Sequence, residues 1–305
     1  MLRHRRPATR GRAPRGWPTI AEWVITTIVR ALAIGTPLLW AAIGEIYAER
    51  SGVVNLGVEG MMILGAFFAF AVAHTTGDPV TGLLAASAAG GVAALLHALL
   101  SVTLRANQYV SGLALAMLGL GIAGVLGRGW EGIPLLNALP EISAFNYLGL
   151  LVAGVLWFIL YHTRAGLIIR STGESPAAAD AVGVNVALVR YLCVALGGVL
   201  AGVAGGFLSV AYRPSWTEGM TGGMGWIAVA IAIFAGWDPL KAIWGSLLFG
   251  ALFFLSFRLQ TWVAPEVLRM MPFAFTIAVL TATARSRRGQ AAPEALGIPY
   301  EGGQK

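Results

Sequence analysis

The sequence predicts an all-α protein, a polytopic bundle of helices that cross a membrane. Of its 305 residues, 57% are hydrophobic and only 11% are charged. A soluble domain of this size would carry about 25% charged residues, so most of the surface is expected to face lipid. Apolar runs of about 20 residues recur along the chain, which is the length that spans a bilayer as a helix. Only a helix satisfies its own backbone within such a run, because hydrocarbon offers no hydrogen-bonding partners.

The apolar runs divide the chain into a basic tail at residues 1–21, a transmembrane domain at 22–284 and a polar tail at 285–305. We expect the last to be cytoplasmic, short and disordered. The 40 glycines suit close packing of helices in lipid, where small residues let backbones approach. The long runs lie near residues 22–43, 53–73, 79–104, 107–127, 146–163, 188–212 and 267–284, and two shorter runs lie near 222–236 and 239–257.

The N-terminal tail carries much of the net charge of +7, with six arginines and no acidic residue in its first 15 positions. The positive-inside tendency predicts that it stays in the cytoplasm against anionic headgroups. RNA binding is the alternative for such a segment, and we expect no nucleic-acid partner. A cleaved signal peptide is not expected, because the apolar run after Trp23 is too long and lacks a small-residue cleavage pattern.

Residues 164–190 form a polar island between two apolar runs. Ser175 can cap a helix, Pro176 suits its first turn, and Gly183 can end it. A helix of about two turns is marginal alone in water, so another contact must hold it. One interpretation is a hydrophilic loop with a helical turn; the other is a docking helix, small-residued so that a cytoplasmic partner's groove can close over it. Three basic residues favour the cytoplasmic side: Arg164, Arg170 and Arg190.

The predicted crossings conflict with these charges. The basic tail and the island both favour the cytoplasm, yet five apolar runs lie between them. Either one stretch is broken or re-entrant, or the tail lies outside; Arg30 also interrupts the first run, which could then span only in part. The best candidate for an irregular stretch is residues 44–60, where a break at Ser51-Gly52 or at Gly57 would leave a half-helix facing a cavity.

Polar and charged groups inside the runs are candidate pathway residues, because ionised groups at depth are costly and mark either a pairing site or a pathway. Glu45, Asn55 and Glu59 are the candidates. Glu45 and Glu49 are four residues apart, as are Asn55 and Glu59, so each pair shares a helical face. The alternative is that Arg50 pairs with Glu49 or another carboxylate and locks the bundle.

The connection at residues 212–225 combines aromatic, acidic and glycine residues. Trp216 either lines the outer mouth of a pathway or anchors the chain at the interface, which is the commoner role of an aromatic residue there. The glycines suggest a second bent entry into a helix. The longer connection at 128–145 is predicted to be an interfacial loop.

Nothing in the sequence predicts catalysis: there is no nucleophile elbow, zinc helix or P-loop, so we expect no ATPase site and no cofactor bound by this chain. The four histidines lack metal-ligand spacing, and His97 is either a packed polar contact or a pore group. Cys193, the only cysteine, is expected to be a packing residue. Uphill transport would need energy from ions or from another subunit, and the docking island favours a cytoplasmic ATPase.

Two stretches resemble the membrane permease subunits of bacterial ABC uptake systems, in the group that includes branched-chain amino acid and simple-sugar permeases. They are GEIYAERSGVVNLGVEGMMILGAF at 44–67 and GESPAAADAVGVNVALVRYLCVALGGVLAGVAGGFLS at 173–209. The nucleoside branch is the most similar, through ERSGVVNLGVEG at 49–60 and PSWTEGM at 214–220. SGLALAM at 111–117 and GWDPL at 236–240 also fit, and the resemblance covers residues 22–284.

The resemblance implies about eight to ten spans with at least one broken helix. It implies three partners: a cytoplasmic ATP-binding subunit that uses the ATP, a second and non-identical permease subunit, and an extracytoplasmic substrate-binding lipoprotein. The implied location is the bacterial cell membrane. By position, the residues that match the family's ATPase-coupling segment are Gly173, Glu174, Ser175, Pro176, Ala179, Asp180 and Gly183.

The implied solute is a nucleoside, which would suit polar groups such as Asn55 and Glu59 beside an aromatic surface such as Trp216 or Trp226. A sugar or a branched-chain amino acid is the alternative within the family. An ion-coupled secondary transporter is the alternative outside it, and would place titratable groups at the midplane.

Overall fold

The computed structural model describes residues 20–285 and 292–302, and within these ranges the chain forms eleven α-helices with no strand beyond two isolated bridges. The predicted all-helical class is confirmed. The helices are α1 (Ile20–Arg50), α2 (Val58–Thr76), α3 (Pro79–Ala98), α4 (Gln108–Gly127), α5 (Ala144–His162), α6 (Arg164–Glu174), α7 (Pro176–Ala181), α8 (Val186–Phe207), α9 (Met224–Phe234), α10 (Pro239–Leu259) and α11 (Pro265–Arg285). Short π-helical turns extend α3 (Leu99–Thr103) and α8 (Leu208–Tyr212).

Helix starts follow capping signals in the sequence. The Asp78 carboxylate accepts hydrogen bonds from the first free amides of α3, and Asp238 does the same for α10. Each is followed by a proline, which suits the first helical position because its missing N–H would have no partner there. Asn107 caps α4 in the same way. Short polar connections therefore separate apolar helices at the boundaries that the sequence marks.

Seven of the described helices are long and apolar enough to cross a membrane: α1 to α5, α8 and α10. α9 is apolar but has 11 residues, about 16 Å at the usual helical rise and so roughly half a span. α11, with 21 residues, lies outside this set. The described ranges therefore hold seven full-length candidate spans and one half-length apolar helix, against the eight to ten spans that the resemblance implies.

α8 lies at the centre of the bundle, packed against α1, α2 and α3. Its glycines allow this: a Cβ atom at Gly205 would overlap the Met62 carbonyl of α2, and a Cβ atom at Gly90 of α3 would lie 2.7 Å from the Gly202 Cα. Small residues thus bring the helix backbones together, as expected for packing in lipid. Cys193 is buried on this helix and is a free thiol, in line with its predicted packing role.

The bundle has two faces, which we call the island face and the loop face. The C-terminal end of α1 meets α6 at the island face, where Gly173 packs directly on the Arg50 carbonyl. The other end of α1 lies at the loop face, where Arg30 pairs with Glu141 of the 128–143 connection. α1 runs without a break from the loop face to the island face and is long enough to span. The prediction that Arg30 limits it to a partial span was therefore wrong.

The break predicted in residues 44–60 exists, but it does not remove a crossing. α1 ends at Arg50 and α2 begins at Val58, and both are long enough to span. Five helices therefore separate Ile20 from the island, and Ile20 lies on the opposite face. The predicted cytoplasmic position of residues 1–21 falls almost wholly outside the described residues and stays a prediction.

The C-terminal residues 292–302, which we call the C-terminal strap, are ordered against the island face. The Ala295 amide donates to the Gly173 carbonyl at 2.9 Å, and the Gly297 amide donates to the Gly52 carbonyl at 3.2 Å. The expectation of a disordered tail was therefore wrong for this segment. The segment looks polar in sequence, but Pro293 and Ala295 are buried against the bundle.

Candidate functional site

The polar island folds into two short helices on the island face. α6 ends at Glu174, and Ser175 then caps α7, its hydroxyl accepting a hydrogen bond from the Ala178 amide at 3.4 Å. α7 has six residues and is followed by Gly183 in the left-handed region at φ +88°. This is the short helix that the sequence predicts, from its serine cap to its glycine end.

The side chains of α7 are small and face outward. Ala177, Ala178 and Ala181 are exposed, and Val182 just beyond them is 80% exposed. Ala179 is the one buried residue of α7 and marks the side of the helix that faces the bundle. A helix of six residues is marginal on its own, and its exposed alanines leave room for a partner's groove. No described helix covers this surface, which fits the docking interpretation.

The other predicted coupling residues connect α7 to the bundle. Glu174 and Asp180 are exposed but hold the strap: the Glu294 amide donates to Glu174 Oε2 at 3.3 Å, and the Tyr300 hydroxyl donates to Asp180 Oδ2 at 3.0 Å. Gly173 is buried against the end of α1. A displacement of α7 would therefore also move the connection between α1 and α2.

That connection, residues 51–57, is buried and runs back into the bundle. The Asn55 amide donates to Glu45 Oε1 at 3.1 Å, although Glu45 lies more than a turn before the end of α1. The Val54 amide donates to Gln108 of α4, and His97 of α3 bonds the Val54 carbonyl at 3.0 Å. The connection thus rests on three helices. His97, which also bonds Ser111, occupies the packed polar position that was one of its two predicted roles.

Glu49 and Arg50 fasten the end of α1 to the turn between α9 and α10. The Arg50 guanidinium donates to the Gly236 and Trp237 carbonyls, each at 3.1 Å, and the Trp237 indole donates to Glu49. Trp237 sits at φ +56°, a conformation unusual for a large residue. Two bonds from one helix end hold it there. Arg50 thus fastens the bundle through backbone carbonyls, whereas the alternative from the sequence had it pair with Glu49 or another carboxylate.

Glu59 caps α9 from the neighbouring helix. Its Oε1 accepts from the Thr221 hydroxyl at 2.6 Å and the Gly223 amide at 2.9 Å, and its Oε2 accepts from the Gly225 amide at 2.7 Å. A carboxylate is favourable at a helix N-terminus, where amides lack partners and the macrodipole is positive. Glycine at 225 is needed, because a Cβ atom there would lie 2.5 Å from the Glu59 Cα.

The geometry of α9 makes residues 213–234 a bent entry from the loop face followed by a half-length helix. The entry contacts the 128–143 connection, with the Leu135 amide donating to the Pro214 carbonyl at 2.9 Å. α9 begins at Met224, next to the Glu59 carboxylate of α2, and ends at Phe234, close to Arg50 at the island face. The second bent entry that the glycines suggested is present. The sequence favours residues 44–60 as the irregular stretch, but the half-helix lies here instead.

A cavity of about 650 Å³ opens beside this entry, between α1, α10 and α11. Its polar lining includes Arg213, Glu218, Thr221 and Gln260, and its aromatic lining is Tyr212, Phe253, Phe257 and Phe273. Such a volume, mostly apolar with a few polar groups, is typical of small-molecule sites of about 300–1,000 Å³. Several of these residues belong to the 212–225 connection, for which the sequence offered an outer-mouth role, whereas Phe253, Phe257, Gln260 and Phe273 were not predicted because no spacing marks them.

The predicted pathway residues are not among those that line the cavity. Glu45 and Asn55 are buried and bonded to each other, and Glu59 reaches the cavity only through its bond to Thr221. Trp216 is 1% exposed and packs edge-to-face on Phe67. The remaining candidate, Trp226, is 39% exposed near the start of α9. Their role in a pathway stays a prediction.

In the described part of the chain, no three histidine, cysteine or acidic side chains come together as a metal site would need.

Comparison with known proteins places these features in a family. The model of the family described as branched-chain amino acid transport system / permease component matches residues 27–280. This match includes every helix from α2 to α10 and most of α1 and α11.

Several relatives align over most of the chain. A permease of Haloferax volcanii, provisionally named for a glucose ABC transporter, is 39% identical and covers 81% of this chain and 88% of its own. The guanosine ABC transporter permease of Bacillus subtilis is 35% identical over 92% of this chain and 98% of its own. The nucleoside ABC transporter permease of Lactococcus lactis is 34% identical over 90% and 96%.

A solved structure shows a similar fold. It is described as an inward-facing conformation of an ABC transporter provisionally assigned to the metal-chelate type, and it superposes with a TM-score of 0.52 over 90% of this chain and 92% of the other. The sequence identity is 16%, so the likeness concerns the fold alone.

Proposed function

The chain belongs to the branched-chain amino acid transport system / permease component family, and from this premise we propose that it is the membrane permease subunit of an ATP-driven ABC importer for nucleosides. It is a multi-pass membrane protein and a transport component rather than an enzyme. The ATP is bound and used by a partner subunit, and this chain binds no cofactor of its own. The proposed location is the bacterial cell membrane.

The exposed helix α7 is the observation that carries this proposal. It is too short to be stable alone, it presents alanines to the outside, and it is joined to the bundle through Gly173 and the buried 51–57 connection. These are the properties of a docking element that receives a displacement. The coupling role of Gly173, Glu174, Ser175, Pro176, Ala179, Asp180 and Gly183 is part of the proposal.

A line of direct contacts leads from α7 to the cavity. Gly173 touches the end of α1, Asn55 in the next connection bonds Glu45, and Glu59 at the start of α2 bonds Thr221 in the cavity wall. We propose that closure of the ATP-binding partners shifts α7 and, along this line, reorients the entry at 213–223. Hydrolysis of ATP then restores the starting arrangement.

The cavity lining is consistent with a nucleoside as solute. Phe253, Phe257 and Phe273 offer aromatic faces for a base, while Arg213 and Gln260 offer hydrogen bonds for hydroxyl groups. Contacts in a pathway must stay weak enough for release. Glucose is the second candidate, because the Haloferax volcanii relative at 39% identity carries that name.

The complete importer is proposed to contain three further components. These are the cytoplasmic ATP-binding subunit, a second, non-identical permease subunit that completes the pathway, and an extracytoplasmic lipoprotein that delivers the solute. The family description, in which this chain is one component of a transport system, supports an assembly of several subunits.

Competition for uptake tests the solute. Cells that produce the complete importer are given labelled guanosine together with a large excess of unlabelled adenosine, glucose or leucine. We expect adenosine to suppress the uptake of label and glucose and leucine to leave it unchanged, because only the nucleoside offers an aromatic base. Guanosine uptake no greater than in cells lacking the permease gene, together with permease-dependent uptake of labelled glucose, would transfer the assignment to a sugar.

A further inference from the structure

The C-terminal strap lies directly beside the proposed coupling element. Its Glu294 amide donates to Glu174 Oε2, on the last residue of α6, and its Tyr300 hydroxyl donates to Asp180, near the end of α7. α7 has six residues and is about 9 Å long at the usual rise. A groove that encloses α7 must therefore meet the strap as well.

The strap is fixed to the bundle independently of α7. The Gly297 amide donates to the Gly52 carbonyl, and the buried Arg190 guanidinium donates to the Ile298 carbonyl at 3.2 Å and to the Ser51 carbonyl at 3.2 Å. Arg190 is 1% exposed; its bond to the Ser51 carbonyl is buried and its bond to the Ile298 carbonyl is partly buried. Arg105 adds an exposed ion pair to Glu301 at 3.5 Å, which contributes little by itself.

The contact between Tyr300 and Asp180 is maintained by a protonated phenol. Partial burial and the neighbouring Asp180 carboxylate raise the pKa of Tyr300 above its usual value. A tyrosine hydroxyl is a donor at neutral pH without any shift, and the higher pKa extends this to more alkaline pH. An open cleft of about 600 Å³ lies between α7, the start of α8 and the strap. Residues of all three elements line it, including Asp180, Val186 and Tyr300.

α7 alone is too small for a stable interface. A specific protein interface buries about 800 Å² on each partner and uses roughly 20–30 residues a side, whereas α7 supplies six, one of them buried. The strap offers the adjoining exposed surface, including apolar positions: Ile298 is 56% exposed and Pro299 is exposed. Aliphatic residues exposed next to a docking element are suited to burial by the same partner.

Resting on the permease function proposed above, we propose that residues 292–302 and α7 together form one composite docking surface for the cytoplasmic ATP-binding subunit. The strap adds apolar contact area through Ile298 and Pro299. It also braces α7 against the Gly52 connection, so that the partner binds a preorganised surface.

Site-specific cross-linking tests this surface. Single cysteines are introduced as Val182→Cys beside α7, Ile298→Cys in the strap and Leu136→Cys on the loop face, where Leu136 is 90% exposed. The native Cys193 is buried and is retained. Each variant is produced with its ATP-binding subunit in membrane vesicles and treated with a short thiol-to-amine cross-linker. We expect the tagged ATP-binding subunit to be captured by Val182→Cys and Ile298→Cys but not by Leu136→Cys.

The outcomes separate this inference from the proposed function. Capture through Val182→Cys without capture through Ile298→Cys would overturn the composite surface and leave the docking role of α7 intact. No capture through either residue would contradict docking at α7, and with it both proposals. In a second measurement, Ile298→Glu should weaken binding of the ATP-binding subunit by about tenfold, while Leu136→Glu should not change it; unchanged binding by Ile298→Glu would count against the strap.

Discussion

Replacing Ala178 by tryptophan should reduce ATP-driven uptake by about tenfold or more, the loss expected when a central interface position is blocked. Ala178 is exposed on α7, and its small side chain leaves the helix slim enough to enter a groove. An indole there would prevent the partner from closing on α7. It would meet no helix of the bundle, so the chain should still insert and remain folded.

The matched control is Leu136→Trp, which places the same side chain at a 90% exposed position on the loop face. Uptake rates in proteoliposomes and the amount of folded protein recovered from the membrane are compared for both variants. We expect the control to transport like the native chain. If Ala178→Trp also transports at the native rate with the ATP-binding subunit bound, α7 is not the docking element.

Changing Glu59 to glutamine should destabilise the protein by about 1–3 kcal/mol, the range for a buried polar group left without its partner. Three donors, the Thr221 hydroxyl and the Gly223 and Gly225 amides, converge on the two carboxylate oxygens. A glutamine supplies one oxygen and an NH₂ group, so at least one donor would face another donor. The start of α9 would loosen, and with it the Thr221 wall of the cavity.

Thermal unfolding of the purified protein in detergent measures this effect, and uptake measures its consequence. Glu266→Gln is the control, because Glu266 is an exposed acidic residue in the first turn of α11. Its substitution should change stability by about 0.5 kcal/mol or less. Equal midpoints for native protein and Glu59→Gln would show that the carboxylate does not hold α9.

The sequence predicts well those features that local chemistry determines. Run length and low charge identify the helical bundle, and the Ser175 cap and Gly183 end define α7 without reference to the rest of the chain. The burial of Cys193 and the break near Ser51 follow in the same way. Each depends on a few neighbouring residues, so its signal is present in a short window.

Other features depend on contacts between distant residues, and the sequence does not mark them. From the sequence, Glu59 is only a charged residue inside an apolar run. In the structure it caps α9, which begins 165 positions later at Met224, and it accepts a hydrogen bond from the amide of the N-cap residue Gly223. The strap reads as a polar tail, yet Arg190 and Gly52 order it. The half-helix α9 was likewise obscured, because residues 222–236 are apolar enough to pass for a shortened span.

The most direct test of the account is to reconstitute the importer in proteoliposomes without ion gradients and to measure the uptake of labelled guanosine with and without ATP. The account predicts uptake that requires both ATP and the ATP-binding subunit, that survives a proton ionophore and that is lost in Ala178→Trp. Uptake by this chain without the ATP-binding subunit, driven by an imposed ion gradient and abolished by the ionophore, would contradict it.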